Sequence, residues 1–410
     1  MAESFVWLLF ELSLVLAAAK LGGLLAREIH LPVVLGELFA GLFLGNLGYW
    51  GIGFFEGIRN DPSLATLAEL GVILLMFEVG VESTVPELAR VGWSALLVAL
   101  LGVIAPFLLG VAAVRLLFPG LSLWVGIFLG ATLSATSVGI SARVLKDLDK
   151  VNTAEGRTIL GAAVVDDVLG LMILAVVVAL IGSASSSGLT QAAIGSKVLV
   201  ISLKAIAFLA GGIVLGVLFS KPLYRAVAKL KVKGMLLTLS LTLCFSFAFV
   251  AHKFGLAPIV GAFSAGLILE REHSRIFFEM EQESLEHLLL PLSTLFVPIF
   301  FFHVGMQVDV AVLLSPEALL LGLALSIAAI AGKTVCAAGI VSGKGSVDRW
   351  TVALGMIPRG EVGLIFAGIG ARLEVGGVPL LDPSLYAAII MMILVTTAMT
   401  PPLLAKRLEK

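Results

Sequence analysis

Apolar segments of about twenty residues recur along almost the whole chain and are separated by short polar loops. Each segment is long enough to cross the hydrocarbon core of a bilayer as a helix. The pattern predicts about thirteen membrane spans, of which one is short and one is interrupted. They lie near residues 5–26, 31–48, 64–82, 93–117, 121–146, 157–182, 196–220, 234–253, 257–270, 290–307, 314–341, 351–373 and 384–402. The sequence therefore predicts an all-α polytopic membrane protein.

Composition agrees with this class, since 59% of the residues are hydrophobic and only 13% are charged. The formal net charge of -1 is spread over short loops, so we expect no nucleic-acid partner. The ionisable residues form no convergent catalytic constellation, and we expect neither an enzyme nor a bound cofactor. Met1 leads into the first apolar segment without a basic region or a cleavage site, which predicts a retained first helix.

Basic residues concentrate in alternate loops, and this bias predicts the orientation of the chain. With thirteen spans, one side of the membrane receives most of the lysines and arginines, whereas the other receives few, among them Arg59, Lys253 and Arg372. Because basic loops stay cytoplasmic, the N-terminus is expected outside and the C-terminus in the cytoplasm. We expect a multi-pass protein of the inner (cytoplasmic) membrane of the cell.

Two sequence patterns recur at the same offset of about 225 residues. Residues 36–42 resemble residues 261–267, and residues 77–80 resemble residues 302–305. Small residues also recur by chance in glycine-rich helices, but two matches at one offset favour a real duplication. Seven spans separate the copies, so they cross the membrane in opposite directions. The sequence thus predicts two inverted repeats of six helices, an architecture typical of secondary transporters.

The same offset relates two spans that cannot be regular helices throughout. Residues 134–141 are rich in hydroxyl groups that compete for backbone hydrogen bonds, and residues 358–361 combine a proline with a glycine. We expect two discontinuous helices, with Arg359 and Glu361 as counter-ions of the exposed helix ends and direct substrate contact as the less favoured interpretation. The residues assigned to the breaks are Ser134, Thr136, Ser137, Pro358, Arg359 and Glu361.

Asp166, Asp167 and Lys333 are charged residues in the middle of apolar spans, where charge is costly and usually functional. Adjacent helical residues point about 100° apart, so the two aspartates cannot share one partner in the same geometry. We expect Asp166 to pair with Lys333 and Asp167 to face an aqueous cavity, where Thr136 helps to coordinate a cation. A buried salt bridge that only sets helix register would leave Asp167 unexplained.

Four segments together resemble the second cation:proton antiporter family, with NapA-type sodium/proton antiporters as the nearest group. They are residues 32–41, 135–145, 161–171 and 355–364. The resemblance implies that Asp167 is the principal carrier of ion and proton, that Asp166 is its companion and that Lys333 is the partner of Asp166. It also implies that the two discontinuous helices cross each other.

The resemblance further implies a division of the chain into moving and static parts, and a homodimer. Residues 93–182 and 314–410 would form the ion-translocating core. Residues 1–92 and 234–313 would form the dimerisation scaffold, with a linker helix in residues 183–233.

The function expected from these features is secondary active exchange of Na⁺ for H⁺ by alternating access. A proton and a cation cannot occupy the Asp167 carboxylate together. Asp167 and Thr136 would bind the metal ion Na⁺ in one state, and Asp167 would carry the proton in the other. We expect electrogenic exchange, in which Lys333 releases a second proton when Na⁺ binds and regains it when Na⁺ leaves. If Lys333 stayed charged throughout, exchange would be electroneutral. Three other interpretations stay open: a potassium/proton antiporter of the same family, a sodium-coupled symporter for an organic substrate, and a channel-like or receptor protein. Li⁺ and K⁺ also stay open as the exchanged ion.

Overall fold

A computed structural model gives the fold. It describes residues 2–29, 31–82, 92–151, 153–184, 234–254, 256–269, 284–341 and 347–409, with a few positions between 200 and 214. The helices of the first half are α1 (Ala2–Glu28), α2 (Val33–Gly45), α3 (Phe54–Arg59), α4 (Pro62–Glu82), α5 (Trp93–Leu117), α6 (Leu123–Ser134), α7 (Val138–Asp147) and α8 (Ala154–Ala184). Those of the second half are α9 (Met235–Lys253), α10 (Pro258–Ile268), α11 (Leu285–Met306), α12 (Val310–Leu313), α13 (Pro316–Val335), α14 (Arg349–Gly355), α15 (Glu361–Gly370) and α16 (Pro383–Leu408).

These helices confirm the predicted all-α polytopic fold. The described residues contain eight helices that are long and apolar enough to cross a bilayer. The shorter helices α2 and α10, and the broken pairs α6–α7 and α14–α15, account for the other predicted spans except the seventh. The seventh span, near residues 196–220, lies mostly outside the described residues, as does most of the predicted linker.

A two-residue hairpin joins α15 to α16. Its strands, β1 (Glu374–Val375) and β2 (Val378–Pro379), are antiparallel. Gly376 and Gly377 form the turn with φ of 62° and 81°, a backbone conformation that side chains disfavour and that suits a tight hairpin.

The helices pack in two groups. The first group contains α1, α2, α4, α9, α10 and α11, and the second contains α5 to α8 and α13 to α16. Within the first group α4 lies against α10 and α11, and α2 lies against α1 and α11. Within the second group α5 contacts α6, α8 and α13, while α13 also contacts α16. The two groups meet where α10 approaches α8 and where α11 approaches α15.

Close backbone contacts reproduce the inverted repeat residue by residue. In each of them a glycine of one helix lies directly on a backbone carbonyl of another, which only a residue without a side chain allows. The contacts are Gly41 with Phe302, Gly266 with Phe77, Gly305 with Leu38 and Gly80 with Phe263. The offset of about 225 residues converts the first contact into the second and the third into the fourth. The repeat predicted from sequence is therefore present in the packing.

Candidate ion-binding site

Asp166 and Asp167 lie near the middle of α8, and the helix gives the two side chains different surroundings. Asp166 is fully buried, whereas Asp167 is partly exposed. This difference follows from the helical geometry, which points successive side chains about 100° apart. Protein thus encloses one carboxylate fully and its neighbour only in part.

Lys333 of α13 is the partner of Asp166, as the sequence predicted. Its Nζ atom donates to Asp166 Oδ1 at 2.8 Å, and neither side chain is exposed. The ammonium group lies over Gly102 of α5, where an added Cβ would be 3.3 Å from Nζ. The other carboxylate oxygen, Asp166 Oδ2, has no hydrogen-bond partner among the described residues. A single ion pair therefore compensates two buried charges, and each depends on the other.

The breaks between α6 and α7 and between α14 and α15 contact each other. The Ser137 backbone N–H donates to the carbonyl of Pro358 at 2.9 Å. The Ser141 hydroxyl donates to the carbonyl of Gly355, the last residue of α14, at 2.5 Å. Interrupting a helix leaves its terminal backbone groups without intrahelical partners. Here each interrupted helix supplies partners to the other, so the two breaks stabilise one another.

Hydroxyl groups and a proline explain why the chain breaks at these positions. At the end of α6 the Thr132 hydroxyl donates to the Phe128 carbonyl at 2.9 Å, and the Ser134 hydroxyl donates to the Ala131 carbonyl at 2.6 Å. Such bonds compete with the next turn of the helix. In the second break Pro358 lacks the N–H that would continue α14. The discontinuities predicted for residues 134–141 and 358–361 are therefore both present.

Arg359 is the positive charge at the crossing. It is fully buried, donates from Nη1 to the carbonyl of Ala135, the C-cap residue of α6, and lies 3.4 Å from Thr136 Oγ1. Carbonyls at a helix C-terminus carry partial negative charge, which a cation stabilises. Arg359 thus makes the contact with a helix C-terminus that a counter-ion requires, and its role as counter-ion stays a prediction. The side chain of Glu361 lies outside the described part of the protein.

Two contacts at the crossing have no counterpart in the sequence interpretation. The Thr397 hydroxyl of α16 donates to the Arg359 carbonyl at 2.6 Å and fixes the second break against the last helix. A Cβ on Gly360 would lie 2.7 Å from the Ser137 hydroxyl. The signal available for Thr397 was its hydroxyl group in an apolar stretch of α16 that also contains Thr396 and Thr400. Most such hydroxyls bond only within their own helix, so the signal is weak.

The structure brings most of the predicted site residues to one region. Gly170, one turn beyond Asp166 and Asp167, faces Ala135 of the first break, where an added Cβ would be 3.8 Å from the Ala135 Cβ. Thr136 lies at the crossing, where its side chain is 1% exposed and contacts Arg359. Direct coordination of a cation by Thr136 stays a prediction.

The comparisons with known proteins agree on one family. The family model described as sodium/hydrogen exchanger, transmembrane, matches residues 14–406. The chain is 38% identical to the high-affinity Na⁺/H⁺ antiporter NhaS3 of Synechocystis, with 96% of this chain and 88% of that protein covered. It is 34% identical to the Na⁺/H⁺-K⁺ antiporter GerN of Bacillus cereus, with 96% and 95% covered.

The fold also matches a solved structure. That structure is the sodium proton antiporter MjNhaP1 of Methanocaldococcus jannaschii at pH 8, with a TM-score of 0.70, 18% identity and coverage of 98% of this chain and 99% of that one. The inverted repeat and the crossing helices therefore occur in a known transporter fold. The family resemblance drawn from the four sequence motifs is confirmed, and the chain belongs to the sodium/hydrogen exchanger family of integral, multi-pass membrane proteins.

Proposed function

We propose that the protein is a secondary active antiporter that exchanges Na⁺ for H⁺ at Asp167. The observation that carries the proposal is the unequal burial of two adjacent carboxylates beside the crossed helix breaks. Asp166 is enclosed and paired with Lys333, while Asp167 is only partly buried within a membrane-spanning helix. An ionisable residue at that depth marks an ion pathway by default.

Competition at one carboxylate is sufficient to couple the two ions. Carboxylate and hydroxyl oxygens are the ligands that a hard cation prefers, so Na⁺ binds the ionised form of Asp167. A proton on the same carboxylate removes the charge that attracts the cation. If the site faces one side of the membrane at a time, it carries either Na⁺ or H⁺ in each crossing. Downhill movement of one ion then drives the other uphill.

Lys333 makes the exchange electrogenic in this proposal. When Na⁺ neutralises the region of Asp167, the buried ammonium group of Lys333 releases a proton, and it regains one when Na⁺ leaves. More than one proton then moves per sodium ion, and net charge crosses the membrane. The alternative is that Lys333 stays charged and is purely structural, in which case only Asp167 exchanges ions and transport is electroneutral.

The two helix groups correspond to the moving and static parts of this mechanism. The second group, within residues 93–182 and 314–410, carries Asp167 and both helix breaks and is the ion-translocating core. The first group, within residues 1–92 and 234–313, is the scaffold through which two copies form a homodimer. The basic loops favour an N-terminus outside and a C-terminus in the cytoplasm, in the cytoplasmic membrane.

The choice of ion rests on the relatives. The relatives above carry names that include Na⁺ and H⁺, and the name of GerN adds K⁺. Sodium is therefore the first candidate and potassium the second.

The test uses purified protein in proteoliposomes that contain a pH-sensitive dye, with Na⁺, Li⁺ or K⁺ added outside at several pH values. Na⁺-dependent proton movement supports the proposal. A response to K⁺ alone would make the protein a potassium/proton antiporter, and no response to any cation would contradict exchange.

A further inference from the structure

A cavity of about 1250 Å³ lies between the two helix groups, on the membrane side that holds Arg59 and Arg372. We call it the intergroup cavity. Phe300 and Val304 of α11 contribute to one wall, and Ile365 and Gly368 of α15 contribute to the other. Among the described residues that line it, neither aspartate of α8 is included. In this conformation the cavity therefore stops short of the candidate ion-binding site.

A buried hydrogen bond joins the two groups beside this cavity. The Tyr386 hydroxyl of α16 donates to the backbone carbonyl of Val304 at 3.0 Å, and Tyr386 is only 6% exposed. Val304 lies in the last turn of α11, and its carbonyl also accepts the Gln307 backbone N–H at 3.2 Å. If the groups separated here, a buried hydroxyl and a carbonyl would both lose a partner unless water replaced it. The bond thus favours the arrangement seen here.

An ion pair joins the groups at the same side. Arg372, just after α15, contacts the carboxylate of Glu69 on α4. Both side chains are about half exposed, at 49% and 53%. Exposed ion pairs contribute little stability because water and salt screen them. The pair therefore adds less to the arrangement than the Tyr386 hydrogen bond, but it marks where the groups touch.

Between these polar contacts the two groups meet through a glycine. A Cβ added to Gly368 of α15 would lie 3.8 Å from Phe300 and 4.0 Å from Val304 of α11. This contact is apolar, so the hydrogen bond of Tyr386 and the ion pair of Arg372 are the polar contacts described between the groups at this side.

We propose that Tyr386 and Val304, together with Glu69 and Arg372, form a clasp that holds the pathway closed between the intergroup cavity and Asp167. The inference rests on the proposed function, which requires the core to move against the scaffold. A contact made in only one conformation stabilises that conformation by its own free energy. Opening the clasp therefore favours the state in which ions reach Asp167 from the intergroup cavity.

Cross-linking tests whether the clasp opens during transport. In a Cys244→Ala, Cys336→Ala background, the pair Glu69→Cys and Arg372→Cys is joined by a short, reducible thiol cross-linker after reconstitution. Exchange should stop on cross-linking and return on reduction. The matched control joins Arg59→Cys to Gln307→Cys, whose native side chains each donate to the other's backbone carbonyl at 3.0 Å within the scaffold side. That cross-link should leave exchange intact.

Tyr386→Phe tests the buried hydrogen bond by itself. Loss of a bond worth about 1 kcal/mol raises the open fraction about fivefold. Apparent affinity scales with the fraction of protein whose site is open to the cavity. The half-saturating Na⁺ concentration measured from the cavity side should therefore fall about fivefold. The value measured from the other side should change little. The control is Tyr49→Phe, which removes a hydroxyl that donates to Asp309 at 2.8 Å. It should leave the half-saturating Na⁺ concentration unchanged on both sides.

Two results would overturn the clasp while leaving the proposed function intact. One is exchange at the uncross-linked rate after complete cross-linking of positions 69 and 372. The other is a Tyr386→Phe variant whose half-saturating Na⁺ concentration is unchanged, or changes equally, on the two sides. The cysteine-free background can fail to show cation-dependent proton movement although native protein shows it. In that case Tyr386→Phe is compared with native protein that keeps both cysteines, and this comparison decides whether the clasp exists. If native protein shows none, the proposed function fails first.

Discussion

Lys333 Nζ lies 2.8 Å from Asp166 Oδ1 at a position where neither side chain reaches solvent. Taking one member of such a pair away leaves a buried charge without compensation, which is far more costly than exchanging both for neutral groups. Any event that changes the charge of Asp166, or of the adjacent Asp167, therefore changes how strongly the protein holds the proton of Lys333. In the proposed mechanism, this relationship is what would connect cation binding to a second proton.

The first prediction is that exchange responds to membrane voltage and that Lys333 is the cause. In proteoliposomes with a potential set by potassium and valinomycin, an imposed potential should accelerate or slow Na⁺/H⁺ exchange according to its sign. Lys333→Gln should either abolish exchange or make it insensitive to the potential, because the second proton site is gone. Wild-type exchange that ignores the potential would show that Lys333 is structural.

Thr136→Ala should weaken the apparent affinity for Na⁺ without abolishing exchange. The hydroxyl is one oxygen among several near the crossing, and losing one bond of about 1 kcal/mol corresponds to about fivefold in affinity. Thr136→Ser keeps the hydroxyl and serves as the matched control. The half-saturating Na⁺ concentration is measured across pH. If the alanine and serine variants had the same half-saturating Na⁺ concentration at every pH, the Thr136 hydroxyl would not bind the cation.

Gly360→Ala should disturb the helix crossing. The new methyl group would lie 2.7 Å from the Ser137 hydroxyl, too close for the present packing, and such overpacking costs about 1–3 kcal/mol. We expect a lower melting temperature and slower exchange. Gly182→Ala in α8 is the control, since its Cβ would meet no atom within 4 Å. Equal behaviour of the two variants would mean that the crossing tolerates a shift at Gly360.

Acid should weaken a contact at the end of α16. Arg407 donates to Asp348 at 2.7 and 3.1 Å, and these bonds, with one from Thr351, hold the pKa of Asp348 well below its ordinary value. A carboxyl group whose pKa is lower in the folded protein stabilises the fold fully at pH values above its unfolded-state pKa, which is about 3.9. This stabilisation is lost as the pH falls through the folded-state pKa. The wild-type advantage in melting temperature over Asp348→Asn should therefore narrow below pH about 4.

The control for this prediction is Glu409→Gln, an exposed change at the end of the same helix. The difference in melting temperature between Glu409→Gln and wild type should stay small at every pH measured. An Asp348→Asn gap that keeps its full size below pH about 4 would show that the ion pair with Arg407 does not supply the stability.

Much of the fold follows from sequence because apolar length and inverted repetition are local and repeated signals. The span predicted at 93–117 coincides with α5, and the short span predicted at 257–270 is α10. The pairing of Asp166 with Lys333 was predictable because few charges lie inside the bilayer and each needs a partner. This logic requires no knowledge of helix packing, only of what charge costs in hydrocarbon.

Contacts between hydroxyl groups and distant carbonyls were not predictable. The bonds from Ser141 to Gly355, from Thr397 to Arg359 and from Tyr386 to Val304 join residues that only the crossing and packing of helices bring together. Their residue types are common in apolar helices and usually bond within the same helix. For the same reason the sequence did not predict that Arg359 of the second break contacts Thr136.

The central claim is that Na⁺ and H⁺ compete for Asp167, and the most direct test is exchange by Asp167→Asn. The amide can neither carry the proton nor present a charge to the cation, while its size and helix position stay the same. Thermal unfolding is measured alongside to show that the variant is folded. In dye-loaded proteoliposomes we predict that Na⁺ drives no proton movement and protons drive no Na⁺ uptake. Full, Na⁺-dependent proton efflux from folded Asp167→Asn protein would contradict the account.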